Sequence, residues 1–191
     1  MKRIPDDLAA KLDPIADDFL AGGDVGRMDA VAREIGVPRA TLYYHFSGKD
    51  DLVAYFMRDK MGRVTRAIAD ALASEAEPLD RFANAVRAAA YELASQPAVC
   101  LNILLGMGSA GAMEELMASS DREVLTPLRG ALAEVAAAEG RQFGDLDITV
   151  TAIMGGIYMA VVQPYARGLA IDADLIADTV VAQTMRGIAG R

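Results

Sequence analysis

The stretch "VAREIGVPRATLYYHFSGKDDL", residues 31–52, decides the fold of this 191-residue chain. It contains the end of a short helix predicted over about 28–35, a break at Gly36-Val37-Pro38, and a second short helix over about 39–45. An amphipathic helix over about 6–21 comes before it and stops at Gly22-Gly23. Two short helices joined by a glycine-containing turn, with a third helix to pack against, predict a helix-turn-helix unit.

The second helix of this unit has two faces. At about 100° per residue, Leu42 and Phe46 lie close together, and we expect them to anchor the helix to the core. The start and the opposite side carry side chains suited to DNA: an arginine that can pair with guanine, a small alanine that allows close approach, and hydroxyls for phosphates or base edges. The predicted DNA-facing residues are Arg39, Ala40, Thr41, Tyr43 and Tyr44, with His45 in a lateral position. His45 either joins this contact or satisfies a neighbouring backbone group.

A long helix over about 49–74 is predicted to follow. Ser47 is a good N-cap, and Asp50, three residues later, is placed like the acidic partner of a capping box. Lys49 falls in the first turn, where unpaired backbone N–H groups already favour an anion. A lysine at this place suits a backbone phosphate, so Lys49 joins the predicted DNA contacts.

These motifs resemble the DNA-binding signature of the tetracycline-repressor-like (TetR) regulators, over roughly residues 8–60. The resemblance implies an all-α transcriptional regulator, most often a repressor, that acts as a homodimer on a double-stranded DNA operator. It implies an N-terminal three-helix helix-turn-helix domain over 1–50 and a C-terminal helical ligand-binding and dimerisation domain over 51–191. The matching residues are Val31-Ala32, Gly36-Val37, Thr41-Leu42-Tyr43, His45-Phe46 and Lys49.

Two features depart from that family's pattern. Family members often begin the second helix with a threonine or serine and a nearby basic residue that grip phosphate, whereas here Gly26, Met28 and Asp29 occupy those places and Arg27 is the substitute. Residues 1–60 also contain nine Lys/Arg against eleven Asp/Glu, so non-specific DNA affinity should be modest. A helical ligand-binding or scaffold protein with a vestigial helix-turn-helix is therefore the alternative hypothesis.

The resemblance also implies a cavity between the middle helices for a small-molecule effector, whose identity the sequence does not give. Such a cavity is mostly apolar with a few polar groups, and methionine thioethers line adaptable pockets well. We expect a small apolar or amphipathic molecule that releases the protein from DNA. By placement alone, the candidate lining residues are Phe82, Val86, Tyr91, Asn102, Met117, Tyr158 and Gln163.

The last two predicted helices span about 145–167 and 172–188. Residues 148–166 run for 19 positions without a charge, close to the ~20 that span a bilayer. Polar residues within the run and the lack of a basic cluster beside it favour a helix at a core or subunit interface over a membrane segment. Gly155-Gly156 costs about 1 kcal/mol per glycine in a helix, which suggests close packing against another helix. In similar regulators the last two helices form the dimer interface.

The remaining composition argues against an enzyme and against a cofactor. A lone histidine argues against a histidine-based metal or catalytic site, and we find no catalytic triad, Walker motif or metal-ligand spacing. "GMGSAG", residues 106–111, matches G-x-G-x-x-G, but its helical surroundings indicate an interhelical turn. Cys100 is the only cysteine and lies in an apolar run, as a buried structural thiol does. With no apolar signal-peptide core near the N-terminus, a cytoplasmic location is expected.

Overall fold

The computed structural model describes residues 4–22, 27–105, 110–140 and 142–189. Within these ranges the chain is all-helical and has no strand, as the sequence predicts. The helices are α1 (Asp6–Leu12), α2 (Ala16–Leu20), α3 (Met28–Glu34), α4 (Arg39–His45), α5 (Lys49–Leu72), α6 (Pro78–Ala94), α7 (Pro97–Leu104), α8 (Ala110–Ser120), α9 (Thr126–Glu139), α10 (Leu146–Ala166) and α11 (Ala173–Ala189).

The N-terminal three-helix unit forms as predicted, with one difference in its first helix. Instead of one continuous helix over 6–21, α1 and α2 are separated by a 3₁₀ turn over Asp13–Ile15 that contains Pro14. Proline has no backbone N–H and cannot continue an α-helical hydrogen-bond ladder, which accounts for the interruption. The turn between α3 and α4 passes through Gly36, whose φ of 65° lies in the left-handed region that glycine adopts without strain.

The long helix α5 joins this N-terminal unit to the rest of the chain. Its first half packs on the unit through Phe56, whose ring centroid is 5.4 Å from that of Phe19, and Tyr55, 5.5 Å from that of Phe46. Its second half packs along α6, the central helix of the C-terminal part. The apolar side of α6 is buried, and its arginines Arg81 and Arg87 form ion pairs with α9 and α11. The C-terminal core is therefore built around α6.

The segment between α8 and α9 is helical but irregular. A π-helical stretch, Asp121–Leu125, connects the two helices, and Pro127 lies in the first turn of α9. Because proline has no N–H to donate to the preceding turn, it interrupts the hydrogen-bond ladder where the π-helical stretch passes into α9. The irregularity thus lies before the proline, in the stretch that contains the buried Val124.

The helix α10 buries one face and exposes the other. Its N-cap is Asp145, whose side chain accepts a hydrogen bond of 3.0 Å from the Ile148 amide. By length and composition α10 could cross a membrane, and 28% of its apolar window is buried within the described chain. At Gly155 and Gly156 an added Cβ would meet no atom of the described residues within 4 Å. The close helix packing that these glycines suggested is therefore not made within the described chain.

Candidate functional site

The face of α4 opposite the core is exposed to solvent. Leu42 and Phe46 are 0% exposed and fix the rotation of the helix, as the sequence predicts. That rotation leaves Ala40 and Tyr43 exposed, Tyr44 63% exposed and Thr41 half-buried. An exposed tyrosine loses no packing when a partner covers it, and its hydroxyl can reach phosphate or a base edge. The geometry is compatible with DNA contact, which stays a prediction for these residues.

Arg39, the predicted guanine contact, also contacts two neighbouring side chains. Its Nε lies 2.9 Å from Oδ1 of Asp29 in α3, and its guanidinium carbon lies 5.0 Å from the ring centroid of Tyr43. The arginine is therefore held between a carboxylate and an aromatic face, both of which attract its charge. The sequence contained a signal for this contact, since Asp29 stands where the resembled family often has a phosphate-binding hydroxyl.

His45 lies half-buried beside this face. Its ring meets that of Tyr44 edge-on, with centroids 5.0 Å apart. Its Nδ1 is buried and accepts or donates no hydrogen bond within the described residues. This nitrogen therefore does not make the backbone contact considered as the alternative to DNA binding.

The start of α5 differs from the predicted capping box. The N-cap is Gly48 and not Ser47, and the acidic partner is Asp51 and not Asp50. The backbone N–H of Ser47 donates to Oδ2 of Asp51 at 2.9 Å. This bond, with a second from the Ser47 side chain, holds the pKa of Asp51 below its ordinary value of 3.8. The acceptor, Asp51, is the third residue of the helix, as in a capping box. The donor, however, is the residue before the N-cap and not the N-cap itself.

The two remaining candidate phosphate contacts are both exposed. Lys49 lies in the first turn of α5, with its ammonium 5.7 Å from the ring centroid of Phe19. Arg27 is the N-cap residue of α3, with extended backbone and no side-chain cap. Both stand on the same N-terminal unit as the exposed face of α4, while Gly26 lies outside the described residues.

A cavity of about 330 Å³ opens between α5, α8 and the π-helical stretch. This volume is within the range of small-molecule sites. Its apolar wall comes from Met57, Met61, Leu116 and Val124, and Arg58 and Glu115 lie 3.6 Å apart at its edge. The other lining residues are Ala54, Gly62, Thr65, Ser119, Ser120, Arg122 and Glu123. The cavity is therefore amphipathic, because its apolar wall lies beside hydroxyl and charged groups.

None of the seven predicted lining residues borders this cavity. Phe82 and Val86 are packed in the core of α6, and Asn102 is buried with its amide donating to Leu20 O at 2.8 Å and Ala98 O at 2.7 Å. Tyr91, Met117 and Gln163 are exposed elsewhere, and Tyr158 is half-buried with its pKa raised by burial. The signal for the cavity was the pair Met57 and Met61, one turn apart on α5. Most of the "GMGSAG" motif lies outside the described residues.

Comparison with known proteins agrees with this geometry. The family model "Bacterial regulatory proteins, tetR family" matches residues 22–56, which include α3, α4 and the beginning of α5. A comparison with curated proteins finds no significant match.

Several solved structures share the architecture over nearly their whole length. The fatty acid degradation regulator FadR from Bacillus halodurans superposes with a TM-score of 0.79 at 18% identity, and the match covers 100% of both chains. A TetR-like transcriptional regulator from a Rhodococcus species gives a TM-score of 0.72 at 21% identity, covering 99% of this chain and 100% of the other. FadR from Bacillus subtilis, in complex with stearoyl-CoA, gives 0.75 at 18% identity, covering 94% and 98%. At these identities the likeness shows the fold alone.

The helix-turn-helix unit and the exposed face of its second helix are the arrangement by which regulators of transcription contact DNA. Residues 22–56 match the family model of TetR-type bacterial regulatory proteins, and the helical architecture of the whole chain is similar to that of solved TetR-like regulators. Regulators of this family bind DNA and are generally not enzymes.

Proposed function

We propose that this protein is a ligand-responsive repressor that binds an operator as a homodimer and leaves it when an effector binds. The observation that carries the proposal is the exposed face of α4, whose orientation is fixed by the fully buried Leu42 and Phe46. We place the DNA-binding domain at residues 1–50, the effector and dimerisation domain at 51–191, and the protein in the bacterial cytoplasm. The proposed DNA contacts are Arg27, Arg39, Ala40, Thr41, Tyr43, Tyr44, His45 and Lys49.

For the effector we propose an amphipathic molecule with an acyl chain, bound in the cavity against α5. Met57 and Met61 offer a deformable apolar surface to a chain, and Arg58 and Arg122 stand where an anionic head group would lie. The FadR relative from Bacillus subtilis was solved with stearoyl-CoA, which has this chemistry. The cavity residues replace the seven candidates chosen from sequence placement.

The position of the cavity on α5 supports a route from effector to DNA. Between Met57 and Met61, the same helix carries Lys60, whose Nζ lies 3.0 Å from Oδ1 of Asp17 in α2. One turn further, Arg63 pairs with Asp13 at 2.6 Å. A ligand that shifts α5 would therefore shift the N-terminal unit attached to it. Such coupling is reciprocal, so DNA should weaken effector binding by the same factor.

We propose that the dimer forms through α10 and α11. The exposed side of α10 carries Ile148, Met159 and the two glycines Gly155 and Gly156, and α11 exposes Leu175. Because an added Cβ at either glycine would meet no described atom within 4 Å, the backbone of a second helix has room to approach closely here. A second copy of this chain, related by a twofold axis, would cover the apolar surface and set the spacing of the two α4 helices.

A gel-shift experiment tests the proposal. The probe is duplex DNA flanking the protein's own gene, at low salt, and we expect a retarded complex that stearoyl-CoA releases and free coenzyme A does not. Thr65→Phe, which fills the cavity, should keep DNA binding and lose release, whereas Thr126→Phe, at an exposed position outside the cavity, should behave as the unaltered protein. Undetectable DNA binding at low salt would favour the rival, a helical ligand-binding protein with a vestigial helix-turn-helix.

A further inference from the structure

An ion pair joins the first turn of α3 to the first turn of α4 on the exposed side of the helix-turn-helix unit. It joins Oδ1 of Asp29 to Nε of Arg39 at 2.9 Å, with the two side chains 38% and 65% exposed. Although the aspartate side chain is partly exposed, its Oδ1 is shut off from solvent and has no well-aligned hydrogen bond within the described residues. The positive charge of Arg39 therefore compensates the buried, negatively charged Oδ1 of Asp29.

The ion pair with Asp29 leaves the two terminal nitrogens of Arg39 available for contact with DNA. Asp29 engages Nε, and neither terminal nitrogen makes a hydrogen bond recorded within the described residues. The ring of Tyr43, one turn along α4, lies 5.0 Å from the guanidinium carbon. An arginine restrained by a carboxylate and an aromatic ring has lost part of its rotamer freedom before DNA arrives, so less is lost on binding.

We propose that Asp29 is a positioning residue for base recognition: it holds Arg39 by Nε so that the two terminal nitrogens present a fork to guanine. Guanine offers two acceptors in the major groove, O6 and N7, which such a fork matches. The inference rests on the proposed function, in which α4 enters that groove. It explains why a carboxylate stands on a DNA-facing surface, where it would otherwise repel phosphate. It also predicts a cost, because one of the few basic groups of the acidic N-terminal unit is partly neutralised.

The experiment selects duplexes from a pool with a randomised centre and measures binding of the preferred duplex and its single-base variants. Arg39→Ala should lose about 5- to 150-fold of discrimination at one base pair in each half-site, the equivalent of ~1–3 kcal/mol. Asp29→Asn should lose most of the same discrimination, and the double variant should lose no more than Arg39→Ala alone. Binding of Asp29→Asn to random duplex should strengthen, with a steeper salt dependence, because Arg39 is then free to find phosphate.

The matched control is Asp50→Asn, which makes the same charge change on the same unit at an exposed acid that has no ion pair within the described residues. It should keep the discrimination. Asp29→Glu, which keeps the charge, should retain part of it, and helical circular dichroism should show every variant folded.

Two results would overturn the inference. In the first, Asp29→Asn discriminates as well as or better than the unaltered protein, which would mean that Asp29 only silences Arg39. In the second, the losses of the two single variants add in the double variant. An unaltered protein with no base preference is a separate result: it contradicts the proposed function, and the inference with it.

Discussion

Replacing Asp17 by asparagine should destabilise the attachment of the N-terminal unit to α5. Lys60 is 4% exposed, and its Nζ lies 3.0 Å from Oδ1 of Asp17, a side chain that is itself 63% exposed. A buried lysine whose only ion-pair partner within the described residues is removed keeps its desolvation cost and loses the compensating charge. An asparagine has nearly the shape of aspartate, so the change isolates the charge.

The size of the effect follows from the distance. Coulomb's law at 3.0 Å gives about 1.4 kcal/mol in water and about 5.5 kcal/mol at an effective dielectric constant of 20. Because Asp17 is mostly exposed while Lys60 is buried, we expect a loss near the lower end, about 2 kcal/mol. For a chain of this length that corresponds to a fall in Tm of roughly 4–8 °C. Lys60→Met removes the buried charge and keeps the length of the side chain, so it should cost less than about 1 kcal/mol.

The assay is urea unfolding followed by circular dichroism at one fixed protein concentration. Asp18→Asn is the control, since Asp18 is adjacent and exposed and has no ion pair within the described part of the chain. The reasoning fails if Asp17→Asn lies within about 0.5 kcal/mol of this control, the usual range of neutral surface changes. It also fails if Lys60→Met proves more destabilising than Asp17→Asn.

Three further outcomes are expected. Alanine at both Gly155 and Gly156 should not destabilise the isolated chain, since each added Cβ meets no described atom within 4 Å, but it should weaken the dimer, which sedimentation over a range of concentrations measures. Burial raises the pKa of Cys100 to about 12, so iodoacetamide at pH 8 should label it in urea and not in the native protein, as mass spectrometry can show. Because Ser47 lowers the pKa of Asp51, the stability from this contact is present above pH 3.8 and lost as the pH falls through the folded-state value; Asp51→Asn should remove that dependence from urea midpoints measured at acid pH.

The N-terminal unit could be predicted from sequence because its determinants are local. The bounds of α4 agree with the predicted 39–45, since Pro38 and the spacing of Leu42 and Phe46 act within a few residues. The interruption of the first helix and the capping of α5 were not predicted, because two local rules competed at each place. Pro14 interrupts the first helix as a 3₁₀ turn, and Ser47, although a good N-cap, bonds Asp51 through its backbone.

The C-terminal site could not be predicted in the same way, because it depends on contacts between residues distant in sequence. Asn102 looked like a polar group of a ligand pocket, but its amide bonds the carbonyl of Leu20, 82 residues earlier. Nothing near Asn102 in the chain indicates that partner. Likewise, the cavity exists because α8 and the π-helical stretch lie against Met57 and Met61, and their packing is a property of the whole fold.

The most direct test of the account is operator affinity for Tyr44→Ala and Lys49→Ala. Both side chains are exposed, so both variants should remain folded dimers by circular dichroism and sedimentation. Tyr91→Ala, at an exposed tyrosine on α6, is the control and should bind as the unaltered protein. The account predicts that the two α4–α5 variants lose operator binding and that any residual binding of Lys49→Ala has a shallower salt dependence, by about one phosphate contact per subunit. Full binding by both variants would contradict it.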